Sequence, residues 1–424
     1  MSGERGVHVV VLGAGFGGLT FCQAFRHPNA TITLVDRTNH HLFQPLLYQV
    51  ATAGLSAPEI AAPIRGVLSD RQDITVLMDE VRSVDLAQKS VVLGQSVLKY
   101  DYLVLALGGV TSYFGHPEWE QFAPGLKSLD DAMRIRREVL LAFERAENSD
   151  HPSRHPELTT LVVVGGGPTG VELAGAFAEL SRTVLARDFR RMDPTQARVV
   201  LIEASPRVLS HLPNELGDSA QKQLAALGVE VRVNARVQEI RSGEVHLVGG
   251  EVIRAANIIW AAGVSASPLT AGLNVERDRA GRVKVTEDLS VPGHERVFAI
   301  GDLASVMGSD GKPVPGVSPA AMQMGRHVAR VIHEELDAVH GIQPGRRKFS
   351  YWDKGTMATI GRSAAVAKIG PLELSGLPAW AAWLLVHLVF LIGFRNKLAV
   401  LLQWAYSYFT YKRGSRIITG ASQG

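Results

Sequence analysis

The chain has 424 residues, 46% of them hydrophobic, which is enough for about two to three domains with their own cores and excludes a disordered or fibrous protein. The formal net charge is only +3 and no long Lys/Arg run occurs, so nucleic acid is not an expected partner. The single cysteine, Cys22, excludes a disulfide framework, a cysteine-based metal site and a thiol pair for redox relay, and no metal site is predicted.

The N-terminal segment predicts a βαβ unit that binds a dinucleotide. Val7 to Leu12 has the pattern of a short buried strand, Leu19 to Phe25 is helical, and Thr31 to Val35 is a second strand. The loop Gly13-Ala14-Gly15-Phe16-Gly17-Gly18 has glycines at the positions needed for a tight turn, for pyrophosphate approach and for helix packing. Asp36 follows the second strand, where a carboxylate accepts hydrogen bonds from ribose hydroxyls. The predicted site residues are Gly13, Gly15, Gly17, Gly18 and Asp36.

A second unit of the same kind follows later in the chain. Thr160 to Val164, Val171 to Leu180 and Arg198 to Ile202 repeat the order strand, helix, strand. The loop Gly165-Gly166-Gly167-Pro168-Thr169-Gly170 repeats the glycine spacing after a Val-rich strand. A duplicated nucleotide-binding fold is therefore predicted, with Gly165, Gly167 and Gly170 in the second site.

Glu203 takes the acid position of the second unit. Its carboxylate would accept a bond from a ribose 2′-hydroxyl and repel a 2′-phosphate, so NADH is favoured over NADPH. Arg207 lies close enough in sequence to leave NADPH use open.

Each unit has a matching exit strand. Lys99 to Leu107 ends at Gly108, and Ile258 to Ala262 ends at Gly263. Val297 to Ile300 is a further strand, assigned to the first unit, and it is followed by Gly301-Asp302. This carboxylate would lie beside the ribityl chain or phosphates of a flavin.

The order of these elements predicts an α/β protein with two Rossmann-like dinucleotide-binding domains, the first discontinuous and the second inserted into it. A C-terminal helical module that binds a membrane completes the fold. The predicted boundaries are 1–111 and 286–353 for the first domain, 112–285 for the second, and 354–424 for the C-terminal module.

The C-terminal module has the composition of a membrane-associating segment. Leu377 to Phe394 is long enough to span a bilayer, but the Arg395-Asn396-Lys397 break and the aromatic-rich stretch Leu398 to Tyr411 favour two helices lying in one leaflet. A hydrophobic dimer interface is the alternative. An interfacial belt and contacts with anionic headgroups are predicted for Trp380, Trp383, Trp404, Tyr406, Tyr408, Tyr411, Lys412, Arg413 and Arg416.

Residues 7 to 330 resemble the two-dinucleotide-binding flavoprotein family. That resemblance implies FAD in the first unit and NAD(P)H in the second. Disulfide reductases and sulfide-oxidising members of the family use a pair of cysteines, which Cys22 alone cannot supply.

Three further stretches resemble the type II NADH:quinone oxidoreductases and extend the match to almost the whole chain. They are His41-Leu42-Phe43-Gln44-Pro45-Leu46-Leu47-Tyr48-Gln49-Val50-Ala51, Trp260-Ala261-Ala262-Gly263, and Lys354-Gly355-Thr356-Met357-Ala358-Thr359-Ile360-Gly361. The resemblance implies functional roles near the flavin for Glu172, Gln323 and Lys354. Glu172 would orient the nicotinamide or relay a proton, whereas a carboxylate on the first turn of a helix can also be stabilised by the helix dipole alone.

The sequence departs from the family pattern at Pro319. The family carries Ala-Gln-x-Ala-x-Gln, and the segment Ser318-Pro319-Ala320-Ala321-Met322-Gln323 has proline in place of the first glutamine. Gln323 keeps its match.

The resemblance implies an enzyme that passes electrons from NADH through FAD to a membrane quinone, either menaquinone or ubiquinone, without proton pumping. It would act in the respiratory chain as a homodimer on the cytoplasmic face of the inner or plasma membrane. The first apolar run is too short for a signal peptide, which agrees with a cytoplasmic main body. The alternatives are a soluble flavin reductase for a ferredoxin-like protein and a non-enzymatic NADH-sensing flavoprotein.

Overall fold

The structure is a computed structural model that describes residues 6–308, 311–338, 345–410 and 414–418. Tyr411, Lys412 and Arg413 of the predicted interfacial belt lie outside the described residues. The chain divides into two compact units, and each is described by itself. Unit 1 contains residues 1–41, 62–110 and 264–354, and unit 2 contains residues 42–61, 111–263 and 355–424.

The described residues form strands in the following order along the chain: β1 (Val7–Leu12), β2 (Ala30–Asp36), β3 (His40–Leu42), β4 (Ala61–Pro63), β5 (Ile74–Met78), β6 (Val81–Asp85), β7 (Ser90–Leu93), β8 (Val97–Lys99), β9 (Tyr102–Leu105), β10 (Gly109–Thr111), β11 (Leu161–Val164), β12 (Val199–Ile202), β13 (Val229–Arg232), β14 (Val237–Arg241), β15 (Glu244–Leu247), β16 (Val252–Arg254), β17 (Asn257–Trp260), β18 (Val264–Ala266), β19 (Val283–Lys284), β20 (Ser290–Val291), β21 (His294–Ala299), β22 (Ala304–Ser305), β23 (Thr356–Gly361), β24 (Ala364–Ile369) and β25 (Leu372–Ser375).

The α-helices of the same residues are α1 (Phe16–Ala24), α2 (Leu47–Ala51), α3 (Ala57–Ile60), α4 (Ile64–Val67), α5 (Leu129–Glu147), α6 (His155–Leu158), α7 (Pro168–Glu179), α8 (Asn214–Ala226), α9 (Ser318–Leu336), α10 (Leu377–Phe390) and α11 (Phe394–Thr410). Short 3₁₀ segments lie at Gln44–Leu46, Pro117–Gln121, Pro152–Arg154, Pro194–Gln196, Pro268–Gly272 and Gly301–Leu303, and a π-helical turn at Leu180–Val184 continues α7.

Unit 1 is built on a six-stranded sheet with the order β20-β21-β9-β1-β2-β5. All neighbouring strands in it are parallel except β20 and β21. The residues Val9 to Leu12 of β1 are fully buried, as expected for a parallel strand that is covered on both faces. Because β2 and β9 flank β1 on opposite sides, a crevice for a ligand opens at the carboxyl end of β1.

Unit 2 contains a second parallel sheet, with the order β13-β12-β11-β17. An antiparallel three-stranded sheet, β14-β15-β16, packs its apolar side chains into the same core as Trp119 and Trp260. The C-terminal part of unit 2 begins with the antiparallel sheet β23-β24-β25 and continues into α10 and α11.

The compact units differ from the domain boundaries expected from the sequence. The second boundary lies at 263/264 instead of 285/286, because β19 pairs with β22 within unit 1. Residues 42–61 and 355–424 belong to unit 2. The segment 355–424 is therefore part of a larger unit, not a module that packs only on itself.

The C-terminal segment forms two helices, as predicted, but the break lies earlier than expected. Helix α10 ends at Phe390, Leu391 is extended, and Gly393 has a φ of +85°. A positive φ suits glycine and stops the helix there. Arg395 and Lys397 lie in the first turn of α11, and Lys397 Nζ donates to Val389 O at 2.8 Å. Within the described ranges, no helix combines the length and the apolar character needed to cross a bilayer.

Candidate functional site

The first phosphate loop joins β1 to α1 in unit 1, and its glycines have two different reasons to be glycine. Gly13 has a φ of +101°, and a Cβ there would overlap Ala106 O. A Cβ at Gly18 would overlap Gly13 O. A Cβ at Gly15, in contrast, meets nothing within 4 Å. Packing thus requires Gly13 and Gly18, whereas Gly15 borders open space that a ligand can occupy.

This open space fits the pyrophosphate of a dinucleotide. Gly15 is the N-cap of α1, and no side chain caps that helix end. The amides of the first turn therefore remain available to an anion, which the helix dipole also favours. Gly17 serves packing: its Cβ would lie 3.1 Å from Ile300 Cδ1, and a Cβ at Gly325 of α9 would overlap Gly17 O.

Asp36 is tied to the same loop. Its Oδ2 accepts a hydrogen bond from Ala14 N at 2.7 Å, and its Oδ1 accepts bonds from the backbone N and Oγ1 of Thr38 at 2.8 Å. The carboxylate is thereby fixed at the end of β2, and its remaining lone pairs can receive ribose hydroxyls.

His41 contacts the backbone of the first phosphate loop at Ala14, and the sequence did not predict this contact. Its Nδ1 lies 2.9 Å from Ala14 O, which can only accept, so Nδ1 carries the proton and donates. Burial lowers the pKa of His41, so the ring is neutral. Phe16 meets the ring edge-on at 5.0 Å.

The other predicted residues of the first site lie at strand ends on the same side of the sheet. Gly108 follows β9 with a φ of +69°, and Gly301 follows β21 with a φ of +68°. A Cβ at Gly109 would lie 3.5 Å from Cβ of Asp302, so this carboxylate lies against the exit of β9. Parallel neighbours end together, which brings these positions to the edge where the phosphate loop lies.

The second phosphate loop, in unit 2, repeats the first in its steric details. A Cβ at Gly165 would lie 2.8 Å from Ala261 C, and a Cβ at Gly170 would overlap Gly165 O, whereas a Cβ at Gly167 meets nothing within 4 Å. Gly167 is the N-cap of α7, again without a side-chain cap. The loop therefore has the free helix end and the open space that a second dinucleotide needs.

Glu203 occupies the acid position in unit 2. Its Oε2 accepts a bond from Gly166 N and its Oε1 from Ser205 N, each at 2.6 Å. Gly263 follows β17 with a φ of +78°, in the position that Gly108 takes in unit 1. The predicted residues Gly165, Gly167, Gly170 and Glu203 thus lie together at the carboxyl ends of β11 and β12 in unit 2.

Glu172 is buried in unit 2 and holds its proton. It is the fifth residue of α7, not on the first turn as we expected. Burial raises its pKa to about 8, only partly offset by Thr359 N, which donates to Oε1 at 3.4 Å, and by the Trp383 indole. Stabilisation of a charged carboxylate by the helix dipole is therefore the wrong interpretation of this residue.

One face of α7 lies along the edge strand β23. Glu172 accepts from Thr359 N, Gly175 is so close to Ile360 O that a Cβ would overlap it, and Glu179 accepts from Arg362 N. Residues 172, 175 and 179 share a helix face because they are three and four positions apart. The Glu172 carboxyl accepts the N–H of Thr359 on the edge of β23, and the Glu179 carboxyl accepts the N–H of Arg362 just after that strand.

An aromatic cluster is built around Trp383, whose indole lies near this carboxyl group. Trp383 of α10 is 1% exposed and stacks on His387 with 4.1 Å between ring centroids. Tyr48 of α2 and Trp404 of α11 meet the Trp383 ring at 6.4 and 5.6 Å. Trp404 Nε1 donates to Gln49 Oε1 at 2.8 Å. The sequence predicted that Trp383 and Trp404 lie at the membrane interface. It did not predict this cluster.

His387 is a neutral, hydrogen-bonded residue of this cluster. Its Nδ1 donates to Trp383 O at 2.8 Å, and burial lowers its pKa to about 4.

Gln323 and Lys354 lie in unit 1. The Gln323 amide forms two bonds of 2.9 Å with the Trp352 backbone, donating from Nε2 to the carbonyl and accepting at Oε1 from the N–H. Lys354 Nζ lies 5.4 Å from the centroid of the Trp352 ring. Gln323 therefore anchors the segment that carries Lys354 to helix α9.

Comparison with known proteins agrees with this geometry. The model of the pyridine nucleotide-disulphide oxidoreductase family matches residues 7–325. The chain is 47% identical to the type II NADH:quinone oxidoreductase Ndh of Mycobacterium tuberculosis over 97% of its own length and 90% of that protein. For NdhA of the same organism the identity is 44%, over 97% and 89%. The chain belongs to the type II NADH:quinone oxidoreductases.

The membership confirms the predicted α/β fold class, the enzyme class and the cofactors FAD and NADH, and favours them over a ferredoxin-type reductase or an NADH sensor. NDH2 from Plasmodium falciparum, solved in complex with NADH, shares the fold with a TM-score of 0.90 at 19% identity, covering 98% of this chain and 100% of that one.

The two kinds of glycine give a matched pair of variants. We expect Gly15→Val to fold normally but to bind FAD about tenfold or more weakly, equivalent to about 1.4 kcal/mol, because its side chain enters the ligand space. Gly18→Ala should instead lower the stability of the flavin-free protein by about 1–3 kcal/mol, because its Cβ overlaps Gly13 O. Flavin absorbance per chain and thermal unfolding separate the two effects. Full FAD retention in Gly15→Val would remove this loop from the FAD site.

The raised pKa of Glu172 predicts a pH-dependent loss of stability. Between pH 4.5 and about 8 the carboxyl is ionised in the unfolded chain but protonated in the folded one, so stability falls as pH rises. Glu172→Gln keeps an acceptor for Thr359 N and has no proton to lose. We expect its melting temperature to exceed that of the parent increasingly from pH 4.5 to pH 8. Glu179→Gln controls for removing a carboxyl from the same face of α7, and a constant difference for Glu172→Gln would contradict the buried neutral carboxyl.

Proposed function

We propose that this chain binds FAD in unit 1 and NADH in unit 2 and reduces a membrane quinone from the lipid surface without pumping protons. The observation that carries the proposal is the pair of phosphate loops, in which Gly15 and Gly167 border open space and a carboxylate, Asp36 or Glu203, is fixed beside each loop. When bound, FAD accepts the reducing equivalents of NADH and supplies the redox chemistry that side chains cannot.

The side chains of the two loops bind and orient the nucleotides. In unit 1, Gly15 leaves room for the pyrophosphate, Asp36 accepts ribose hydroxyls, and Asp302 lies where a ribityl chain would pass. In unit 2, Gly167 and Glu203 take the equivalent roles. Two dinucleotide sites in one chain support electron transfer between two nucleotides.

Glu172, Gln323 and Lys354 are proposed for the reacting end. Glu172 is neutral and buried, which suits a group that holds a proton for the quinone. Gln323 positions the segment of Lys354 through its bonds to the Trp352 backbone.

The exposed side chains of the C-terminal helices support the proposal that this part of the chain binds a membrane surface. Apolar side chains are exposed along both helices, and they include Leu377, Leu385, Val389, Leu398, Leu401, Leu402, Tyr406, Tyr408 and Phe409. Exposed apolar side chains in this number suit a partner that is itself apolar. Association with one leaflet, the cytoplasmic face and a homodimeric state remain predictions, and either menaquinone or ubiquinone would satisfy the proposal.

The deciding experiment is steady-state NADH oxidation by purified, FAD-loaded protein with menaquinone and ubiquinone analogues. Rapid turnover with a quinone and none with a ferredoxin-like protein supports the proposal. Slow reoxidation by every quinone would instead favour an NADH-sensing flavoprotein.

Glu203 should set the choice between NADH and NADPH. Glu203→Ala removes the acceptor for a 2′-hydroxyl and the repulsion of a 2′-phosphate, so we expect the ratio of kcat/KM for NADH over NADPH to fall about tenfold. Glu251→Gln, an exposed glutamate of the same unit, is the matched control. An unchanged ratio would show that Glu203 does not contact the ribose.

The membrane surface is tested better by substitution than by deletion. Removing the chain after Ser375 also uncovers Glu172, because Trp383 would be lost. Leu385 and Leu402 are 64% and 60% exposed, so we expect the double variant with Gln at both positions to fold and keep its flavin. Flotation with liposomes should fall about tenfold or more, since each leucine buried in lipid contributes about 1.5–3 kcal/mol.

The control for this surface is Val248→Gln, because Val248 is 61% exposed in another part of unit 2. NADH should still reduce the flavin of the double variant, and a short-tailed soluble quinone should still be reduced. Unchanged flotation together with dissociation into monomers would support the dimer-interface alternative.

A further inference from the structure

The indole of Trp383 is a buried hydrogen-bond donor that has no acceptor. Trp383 is 1% exposed, and no acceptor meets its Nε1 at hydrogen-bond distance and angle. An indole N–H can only donate, and leaving such a donor unpaired in a core is unfavourable. The N–H is also closed to solvent, so only a group already packed against it can become its partner.

The group in that position is the Glu172 carboxyl. The indole lies near enough to favour the ionised form of Glu172, although it forms no regular hydrogen bond in this structure. Thr359 N is the other donor to the carboxyl, at 3.4 Å. The oxygens of a protonated carboxyl are weak acceptors, so neither hydrogen bond stabilises it much. A buried carboxylate in the same site is stabilised strongly by both hydrogen bonds.

We propose that Trp383 is a positioning residue for Glu172, because its indole N–H becomes the second donor to the carboxylate that forms when Glu172 releases its proton. The structure places this donor on α10 and the carboxyl on α7, so the C-terminal helices regulate the proton affinity of a residue in the nucleotide-binding unit. The contribution of this proton to quinone reduction rests on the proposed function, but the hydrogen bond does not.

The other groups around the pair leave this assignment unchanged. His387 stacks on Trp383 and Tyr48 meets its ring, and within the described ranges these two are the titratable side chains in ring contact with the indole. His387 is neutral because burial lowers its pKa to about 4. Among the described residues, no charged side chain contributes to the shift of Glu172. A single donor therefore has a measurable effect on this carboxyl.

The proton balance of the reaction gives the pair a role. NADH, one proton and a quinone yield NAD⁺ and a quinol, so one proton per turnover comes from the medium. Glu172 can give its proton to the reduced quinone, and the resulting carboxylate takes a proton back from water. A donor that stabilises the carboxylate lowers the cost of the release step and raises the cost of the return step.

The test measures the ionisation of Glu172 without NADH or quinone. The carboxyl C=O stretch in infrared difference spectra, assigned by its loss in Glu172→Gln, reports the titration in the FAD-loaded protein. We expect Trp383→Phe, which keeps a ring but removes the N–H, to raise the proton affinity about tenfold and move the midpoint up by about one pH unit. Trp404→Phe removes an indole donor whose acceptor is Gln49, so the midpoint should stay.

An unchanged midpoint in Trp383→Phe would overturn the proposal. A second measurement on the parent protein holds even if that variant does not fold. Among the indole N–H signals of the six tryptophans in ¹⁵N spectra, one should move with the Glu172 midpoint and stop moving in Glu172→Gln. If no signal titrates with Glu172, the indole is only a packing element.

The pH profile then separates this inference from the proposed function. Quinone reduction at saturating NADH should decline above the Glu172 midpoint, and in Trp383→Phe the decline should begin at a pH higher by the same interval. If the titration shifts but the protein does not reduce quinones, the proposed function fails while the hydrogen bond stands. If quinones are reduced with the same profile in both proteins, Trp383 has no part in the proton step.

Discussion

The close packing of α7 on β23 is the constraint on which the rest of unit 2 depends. The lack of a side chain at Gly175 lets the edge strand approach the helix backbone, and the carboxyl groups on either side of Gly175 accept the N–H of Thr359 in that strand and of Arg362 just after it. The same helix begins at the second phosphate loop. One element therefore joins nucleotide binding at its start to a buried carboxyl group at its second turn and to the C-terminal sheet along its length.

Two kinds of glycine explain why both phosphate loops can be rigid and still open. The first and last glycines of each loop are required because backbone atoms occupy the space of a side chain. Gly15 and Gly167 meet no protein atom within 4 Å, so each loop leaves space there for a bound molecule. The loops are thus fixed by internal packing, and binding a nucleotide need not reorder them, which lowers the cost of binding.

The parts of the fold that depend on neighbours in sequence could be predicted. Strand, glycine loop, helix and acid occur within short segments, and each observed unit contains one such set. The segment 42–61 and the Trp383–Glu172 contact could not be predicted, because they depend on packing between residues far apart in the chain. The aromatic residues of the tail suggested lipid, and only the structure distinguishes the buried Trp383 from the exposed Tyr406 and Phe409. The predicted position of the turn after α10 was wrong, because we placed it at the charged residues after Phe394 and not at Gly393.

The two faces of α10 argue against a tail that is only an anchor. Its outer face exposes Leu385 and Val389, which an anchor needs, but an anchor gains nothing from burying an indole N–H without an acceptor on the other face. Such a donor costs about 1–3 kcal/mol while it stays unpaired. On the proposal above, the indole N–H gains an acceptor only when Glu172 becomes charged. Burial makes that charged state unfavourable without a hydrogen-bond donor. The helix that we propose to lie on the membrane therefore also carries the proposed donor to Glu172, and on this proposal a change in how α10 docks alters the proton affinity of Glu172.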